Sequence, residues 1–368
     1  MDTTVPDIQF DDEGVCNYCK QCAERMRNEL HYDAAGQKSL ELLVDEIKRK
    51  GAHSDYDCLV GVSGGVDSTY VAYLVKKRFG LRPLAVHLDN GWDAELAVSN
   101  IEQILKRLNI DLYTYVLDWE EFKDLQVSFL KASIANAEIP TDHAIGAILY
   151  RVAAAKGISY VITGGNIVTE AIMPAVWMSD NRDLRLIKAV HRKFGRVKLK
   201  TYPQLSIVDW AYYTFIKGIK YVQILNYVPY VKAEAKRVLC DELGWRDYGG
   251  KHYESIYTRF FQSYILPRKF GIDKRKAHLS TLIMSGQITR DEALAEMEKP
   301  TCSPGQLEED GEYVMKKLGL GYDEFAKIMT APAKSFSDYP NSAYLRRRFA
   351  FVVKFAKWLH FRCERPGN

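Results

Sequence analysis

Residues 56 to 69 read YDCLVGVSGGVDST, and this stretch determines the fold that we predict for the chain. Residues 58–62 are apolar and rich in β-branched side chains, which indicates a buried strand. A polar turn follows, and a helix is predicted from Thr69 to Phe79. Two adjacent glycines in the turn let the backbone approach a ligand closely. Because the N-terminus of a helix favours negative charge, the stretch predicts an anion-binding loop.

The side chains of the loop distinguish it from the common phosphate-binding loop that contains lysine. Ser63, Ser68 and Thr69 supply hydroxyl groups around one point, and Asp67 adds a carboxylate. The G-x-x-x-x-G-K-[ST] phosphate loop is excluded because the stretch contains no lysine. An ordinary glycine-rich turn is the alternative, but it explains the glycines and leaves the three hydroxyls and the aspartate unexplained.

Further strands and helices alternate along the chain and predict an α/β fold. Apolar periodicity indicates helices at 39–50 and 94–108 and strands at 84–88, 111–117, 158–163 and 221–225. Such alternation implies parallel βαβ units. Ligands in such sheets bind beyond the carboxyl ends of the strands. We therefore expect the loops at Ser63, Asp89 and Gly164 to converge on one crevice.

Composition limits the class of protein. The 368 residues are 47% hydrophobic, which fits a globular chain with a large core. The sequence has no apolar run of about 18 residues and no apolar segment near Met1, so neither a membrane span nor a signal peptide is predicted. A net charge of +4 is too small to indicate a nucleic-acid partner. Seven cysteines, an odd number, favour a reducing, cytoplasmic location.

Two clusters of side chains leave alternatives open. Cys16, Cys19 and Cys22 include a C-x-x-C pair that suits zinc, but a structural zinc site needs four ligands. A redox pair, an incidental pair and small buried side chains are the alternatives. Lys188, Arg192 and four further cations up to Lys200 form a basic run. This run is either a solvated helix face or a surface for a sugar-nucleotide diphosphate or an acidic protein.

Several motifs taken together resemble one family. The SGGVDS loop, TDHAIGAILYR, VITGGN followed by TE, and GGKHYES with DKRKAHLSTLIMSGQITRDEAL look like the N-acetyl sugar amidotransferases of the PP-loop ATP pyrophosphatase superfamily. The matched motifs extend from about Cys16 to Leu294. The resemblance implies a Rossmann-like parallel sheet of the adenine nucleotide alpha hydrolase type. It also implies a Cys-containing segment at 1–50, a PP-loop domain at 51–230 and a largely helical substrate or partner region at 231–368.

The resemblance also implies a reaction. The closest well-known type acts in the biosynthesis of bacterial surface polysaccharide, the lipopolysaccharide O-antigen, and converts an acetamido group of a UDP-linked sugar to an acetamidino group. ATP activates the amide oxygen, and ammonia replaces it. The resemblance implies that ammonia comes from a separate HisH-like glutaminase with a HisF-like partner. This chain itself has no G-x-C-x-G glutaminase nucleophile.

Residue roles follow from the same resemblance. The loop is expected to hold the pyrophosphate of ATP, with magnesium at Asp67; Val86 and Leu88 are expected to meet adenine, and Gly164 and Gly165 the ribose or α-phosphate. The expected ATP-binding set is Gly61, Ser63, Gly64, Gly65, Val66, Asp67, Ser68, Val86, Leu88, Gly164, Gly165 and Asn166. The expected catalytic set is Ser63, Asp67, His143, Lys251 and His252. The expected sugar-binding set is Asp142, Glu254, Ser255, Arg259, Lys274, Arg275 and His278.

Structural roles are the alternative for several of these side chains. A buried structural histidine is the alternative for His143, and surface salt bridges are the alternative for the cations from Arg259 to His278. Family members also commonly carry another C-x-x-C pair upstream of a segment like MDTTVPDIQF. The sequence begins inside that segment, so Cys22 or distant Cys302 would have to complete a zinc site.

Two other functions remain open from the sequence. A PP-loop enzyme that modifies tRNA, of the thiolase or lysidine synthase type, shares the adenylation step but would carry a basic nucleic-acid domain or a catalytic cysteine. A nonenzymatic nucleotide-binding regulator would bind ATP without releasing pyrophosphate. Such a regulator has less need of the hydroxyls and carboxylate at Ser63, Asp67 and Ser68.

Overall fold

Strand β1, Cys58–Gly61, is the centre of a five-stranded parallel sheet. The other strands are β2 (Pro83–Asp89), β3 (Asp111–Val116), β4 (Tyr160–Thr163) and β5 (Lys220–Gln223), and the order across the sheet is β3-β2-β1-β4-β5. β1 pairs with β2 on one side, Val60 opposite Ala85, and with β4 on the other, Leu59 opposite Val161. The strand order therefore reverses between β1 and β4, where parallel sheets bind ligands. The predicted α/β class with a Rossmann-like parallel sheet is confirmed.

The computed structural model describes residues 1–178, 180–250 and 253–343. The described residues form the α-helices α1 (Asn17–Glu29), α2 (Ala34–Gly51), α3 (Val66–Tyr73), α4 (Glu95–Leu108), α5 (Trp119–Ala132), α6 (Ile139–Ala155), α7 (Ile167–Glu170), α8 (Leu184–Phe194), α9 (Ile207–Ala211), α10 (Lys232–Leu243), α11 (Ile256–Phe260), α12 (Arg275–Met284), α13 (Arg290–Glu298), α14 (Pro304–Leu318) and α15 (Tyr322–Thr330). Lys251 and His252 lie outside the described residues.

Both faces of the sheet are covered by helices. Leu40 and Ile47 of α2, with apolar residues of α3, α4 and α10, pack on one face. Ala147 and Val152 of α6 pack on the other. This two-sided burial explains why β1 reads as a continuous apolar run. A third core joins α5, α8 and the helices after residue 256, so the C-terminal helices pack against the sheet domain through their own apolar cluster.

Helix boundaries differ from the sequence-based prediction at two places. The helix after the loop begins at Val66 rather than Thr69, and it continues past Tyr73 as a π-helical turn, Leu74–Arg78. A longer π-helical segment, Phe261–Phe270, contains Pro267, which has no N–H to donate to the α-helical pattern. The capping-box pattern of Thr289 and Glu292 is present at the start of α13. Among the described residues, no helix is both long and apolar enough to cross a membrane.

Candidate functional site

The loop between β1 and α3 is held by its own hydroxyl groups. The Oγ atoms of Ser63 and Ser68 lie 3.2 Å apart, and the N–H of Ser63 donates to the Ser68 Oγ at 3.3 Å. The N–H of Gly65 donates to the Ser63 Oγ, also at 3.3 Å. Gly65 is the N-cap of α3, and its position supplies no side chain to cap the first turn. No side chain of the N-cap therefore covers the start of α3, although the Tyr248 hydroxyl accepts a hydrogen bond from the N–H of Val66.

Gly64 fixes the loop against its surroundings. Its φ of +78° lies in the left-handed region, and a Cβ at this position would stand 2.8 Å from the Ala97 carbonyl oxygen in α4. The carbonyl of Gly64 accepts a hydrogen bond from the indole Nε1 of Trp245 at 3.0 Å. These two contacts hold the turn from both sides, so its geometry is set before any ligand binds.

The turn after β4 packs directly on the same loop. A Cβ on Gly164 would stand 2.8 Å from the backbone nitrogen of Ser68. Asp67 faces this contact, and its Oδ1 accepts a hydrogen bond from the hydroxyl of Tyr230. Burial, with the nearby Asp67 carboxylate, raises the pKa of Tyr230, so the hydroxyl keeps its proton and donates. Asp67 is therefore oriented by a neutral donor.

Two cavities meet at the loop. The larger has a volume of about 1130 Å³ and the smaller about 380 Å³. Ser63, Ser68 and Gly164 line both of them. Three side chains from other elements, Glu254, Gln262 and Lys274, also line both. The two cavities therefore share the loop hydroxyls and Gly164, and Asn90, the neighbour of Asp89, lines the smaller one.

The smaller cavity is mostly apolar. Gly61, Val86 and Leu88 line it at the carboxyl ends of β1 and β2, and Ile145 and Leu149 line it from α6. These apolar side chains suit one face of a flat ring, while polar and charged side chains, among them His87, Asp93 and Glu138, line the rest of the cavity. Asp142 and Ser255, which the sequence analysis assigned to the sugar, line this smaller cavity and not the larger one.

The larger cavity is lined by the predicted cations, but most of them have protein partners. Arg259 makes a two-pronged ion pair with Asp310, at 2.6 and 2.7 Å. Arg275 pairs with Asp273 and donates to the carbonyls of Glu296 and Lys299. The pairing predicted as the alternative is thus present at both arginines. Lys274 and Glu254 line both cavities, and His278 lines the larger one.

His143 is a correction to the predicted catalytic set. It is only 3% exposed, and it lines neither cavity. Its Nε2 accepts from the N–H of Leu205 at 3.0 Å, and its Nδ1 lies 2.8 Å from the carbonyl oxygen of Asn181, to which it must donate. Burial lowers the pKa of His143. The ring is therefore a neutral structural group without a nitrogen to spare for catalysis.

Asn166 has a structural role, and the basic run is exposed. The side chain of Asn166 caps α7 by accepting from the N–H of Thr169 at 2.9 Å, and it lines neither cavity. The basic side chains of α8 and the segment after it are exposed, including Lys188, Arg192 and Lys200. The helix buries Leu186 and Val190 on its opposite face. Exposure of these cations fits both alternatives, a solvated helix face and a surface for a partner.

The predicted zinc site is not supported. Cys16 and Cys19 place their sulfur atoms 3.4 Å apart, but within the described residues no three His, Cys, Asp or Glu side chains form a group that could hold a metal ion. Burial raises the pKa of both Cys19 and Cys22 to about 11, so these thiols carry their protons. Since a structural zinc site needs four ligands, and the described residues do not bring even three together, the donor set does not fit this metal. Cys363, another scattered cysteine, lies outside the described residues.

Sequence reasoning missed two residues beside the loop, His87 and Asp93. His87 Nδ1 lies 3.0 Å from the carbonyl oxygen of Val62, and Nε2 lies 3.0 Å from Oδ2 of Asp93. Since neither oxygen can donate, both ring nitrogens must carry protons. Burial opposes this charge, but the hydrogen bond to Asp93 and the charge of Asp93 outweigh it, and the pKa of His87 is raised. A histidine inside the apolar strand at 84–88 was the signal available in the sequence.

We expect the His87–Asp93 pair to give stability that depends on pH. The pKa of His87 is higher in the folded protein than its unfolded value of about 6.5. The pair therefore stabilises the fold fully below the unfolded pKa, and this stabilisation is lost as pH rises through the folded pKa. Asp93→Asn should therefore destabilise the protein more at pH 6 than at pH 9. Urea unfolding at both pH values measures the difference, with the exposed Asp12→Asn as control. An equal loss at both pH values would contradict the charged pair.

Comparisons with known proteins agree with this geometry. A family model described as NAD synthase matches residues 35–196, and a model described as the C-terminal domain of LPS biosynthesis protein WbpG-like matches residues 254–354. An uncharacterized protein of Methanocaldococcus jannaschii is 25% identical over 82% of this chain and 91% of its own length. The glutamine-hydrolysing GMP synthase of Chlorobium chlorochromatii is 34% identical over 22% of this chain and 15% of its own.

Two synthetases are among the solved structures that the chain weakly resembles. NMN synthetase from Francisella tularensis is 13% identical, with a TM-score of 0.33, over 78% of this chain and 98% of its own. An NH3-dependent NAD synthetase from Campylobacter jejuni is 16% identical, with a TM-score of 0.29, over 81% of this chain and 98% of its own. The chain therefore combines an NAD-synthase-type region at 35–196, which supports an ATP-utilising PP-loop enzyme, with a WbpG-like C-terminal domain at 254–354, which is named for lipopolysaccharide biosynthesis.

Proposed function

We propose that the protein adenylates the oxygen of an N-acetyl group on a UDP-linked sugar and replaces that oxygen with nitrogen from ammonia. The product is an acetamidino sugar for the O-antigen of lipopolysaccharide. The observation that carries this proposal is the meeting of two cavities at one hydroxyl-lined loop. The apolar part of the smaller cavity would suit adenine, and the larger cavity has room for a second substrate.

The chemistry explains why ATP is needed. An amide oxygen is a poor leaving group, so ammonia does not displace it directly. In the first step the amide oxygen attacks the α-phosphorus, and pyrophosphate leaves. In the second step ammonia adds to the activated carbon, and AMP leaves with the former amide oxygen. The protein contributes by positioning both substrates and by stabilising negative charge at the phosphates.

The chain's own groups suit these tasks. Ser63, Ser68 and the first N–H groups of α3 would hold the pyrophosphate, in the manner of other helix N-termini. Val86 and Leu88 would contact the adenine. Asp67 and Glu170 both line the larger cavity near the loop. Carboxylates combined with substrate phosphates are the ligands that magnesium prefers, so the donor set fits Mg²⁺, which would offset the phosphate charge.

The nitrogen source is proposed to be another protein. The sequence has no glutaminase nucleophile motif, whereas the GMP synthases that match part of this chain are glutamine-hydrolysing. A HisH-like glutaminase with a HisF-like partner would supply ammonia to this chain. The exposed basic side chains around α8 remain a candidate surface for such a partner.

We expect purified protein with ATP, Mg²⁺ and a UDP-linked diacetamido sugar to use high ammonium but not glutamine. Mass spectrometry should show one oxygen of the sugar replaced by NH, with AMP and pyrophosphate released. Glutamine should become effective once a glutaminase partner is added. Efficient use of glutamine by the chain alone would contradict the division of labour.

The same preparation distinguishes the other two functions. A tRNA-modifying enzyme would bind tRNA in a salt-dependent gel shift and would release pyrophosphate with tRNA rather than with the sugar. A regulator would bind ATP and release no pyrophosphate with any acceptor. Either result, together with no reaction of the UDP-linked sugar, would contradict the proposed function and favour the corresponding alternative.

A further inference from the structure

Three side chains from distant parts of the chain meet where the two cavities join. Gln262 and Lys274 line both cavities, and Glu138 lines the smaller one. We call Glu138, Gln262 and Lys274 the junction cluster. They come from the residue before α6, the π-helical segment and the residue before α12. The cluster therefore lies beside the place where a nucleotide and a second substrate would touch.

Contacts within the cluster all reach one oxygen of the carboxylate. Gln262 Nε2 donates to Glu138 Oε2 at 3.1 Å, and Lys274 Nζ lies 3.5 Å from the same Oε2. The side chains of Glu138 and Lys274 are only 12% and 18% exposed. Both contacts fix the direction of the carboxylate and leave Oε1 out of these two bonds. A carboxylate held in this way can accept a proton from a group in the cavity.

A capping role does not explain Glu138. It occupies the N-cap position of α6, where a polar side chain commonly accepts from the first turn. Its backbone is in the right-handed helical region, φ −88° and ψ −4°, and its side chain makes no cap hydrogen bond. Instead, the carboxylate turns to the cavity junction. Its position at the start of a helix also favours a negative charge there.

The second step of the proposed reaction needs a proton acceptor at this place. When ammonia adds to the activated carbon, a C–N bond forms and the nitrogen becomes positively charged. That nitrogen must lose a proton before its lone pair can expel AMP, whose oxygen takes the electron pair of the breaking C–O bond. The proton goes to the acceptor and then to water, so the step balances. We propose that Glu138 is this acceptor, with Gln262 and Lys274 as positioning residues; the inference rests on the proposed function.

The two half-reactions can be measured separately. Sugar-dependent exchange of labelled pyrophosphate into ATP reports adenylation, and formation of the amidino sugar with ammonium reports the second step. Glu138→Gln keeps the size of the side chain and removes its basicity. We expect exchange to stay within about threefold, while ammonia-dependent product formation falls about 10²-fold or more, as for a lost general base. The exposed Glu120→Gln should change neither reaction.

The outcomes separate the two proposals. If the wild-type protein shows no sugar-dependent exchange, the proposed function fails. If the wild type works but Glu138→Gln keeps the ammonia step, or loses both steps equally, Glu138 is not the proton acceptor and the proposed function stands. If Glu138→Gln does not fold, Glu138→Asp replaces it and should slow the ammonia step at least about tenfold with exchange retained. A merely structural residue would not separate the half-reactions in this way.

Discussion

Asp67→Ala and Ser63→Ala are each expected to lower turnover about 10²-fold or more, with little change in folding. Ser63 shares a hydrogen-bonded cluster with Ser68, and Asp67 accepts from the Tyr230 hydroxyl beside the larger cavity. Alanine at either position removes a group that would hold phosphate or metal while the apolar core stays intact. The measurement is the rate of pyrophosphate release, with thermal unfolding to show that the fold survives.

A matched pair of variants separates the two roles that Asp67 can have. Tyr230→Phe removes the donor that orients the carboxylate but keeps the carboxylate itself. Its effect should be smaller than that of Asp67→Ala, because the charge remains in the cavity. Near-normal turnover in both Asp67→Ala and Ser63→Ala would contradict the assignment of the loop to ATP. Equal losses in Tyr230→Phe and Asp67→Ala would mean that orientation, not charge, is the function of Asp67.

Local patterns explain why the loop and its sheet could be predicted. β1, the turn and α3 are consecutive in sequence, and their apolar, glycine and hydroxyl positions follow from the geometry of a strand that runs into a helix. Parallel pairing of β1 with β2 and β4 follows from the helices between them. The strand, the turn and the helix depend on residues within a short window, whereas the pairing of β1 with β4 joins residues about 100 apart and follows only from the general rules for parallel βαβ units.

The partners of charged side chains could not be predicted in this way. Arg259 pairs with Asp310, 51 residues away, and Lys274 pairs with Glu138, 136 residues away. From the sequence, a cation in a segment with two glycines is predicted to bind substrate, because the carboxylate that pairs with it lies far away along the chain. The role of His143 could not be predicted for the same reason, because both of its ring nitrogens form hydrogen bonds with backbone groups far along the chain, at Asn181 and Leu205.

Among single substitutions to alanine in the loop, Gly64→Ala is expected to cause the largest loss of stability or of ATP binding. Alanine would have to adopt the φ of +78°, and its Cβ would stand 2.8 Å from the backbone oxygen of Ala97, which cannot swing aside as a side chain can. Left-handed strain costs about 1 to 2 kcal/mol. The clash should add about 1 to 3 kcal/mol, or else push the turn away from its position at the helix start and abolish ATP binding.

Gly80→Ala is the matched control, because Gly80 has a φ of +62° and open space around the Cβ position. It carries the left-handed strain without the clash, so the difference between the two variants isolates the contact with α4. Urea unfolding and calorimetry with ATP measure stability and binding for both variants. We expect Gly80→Ala to bind ATP as the wild type does. If Gly64→Ala matched it in stability and in ATP affinity, the close packing of the loop on α4 would have no part in forming the site.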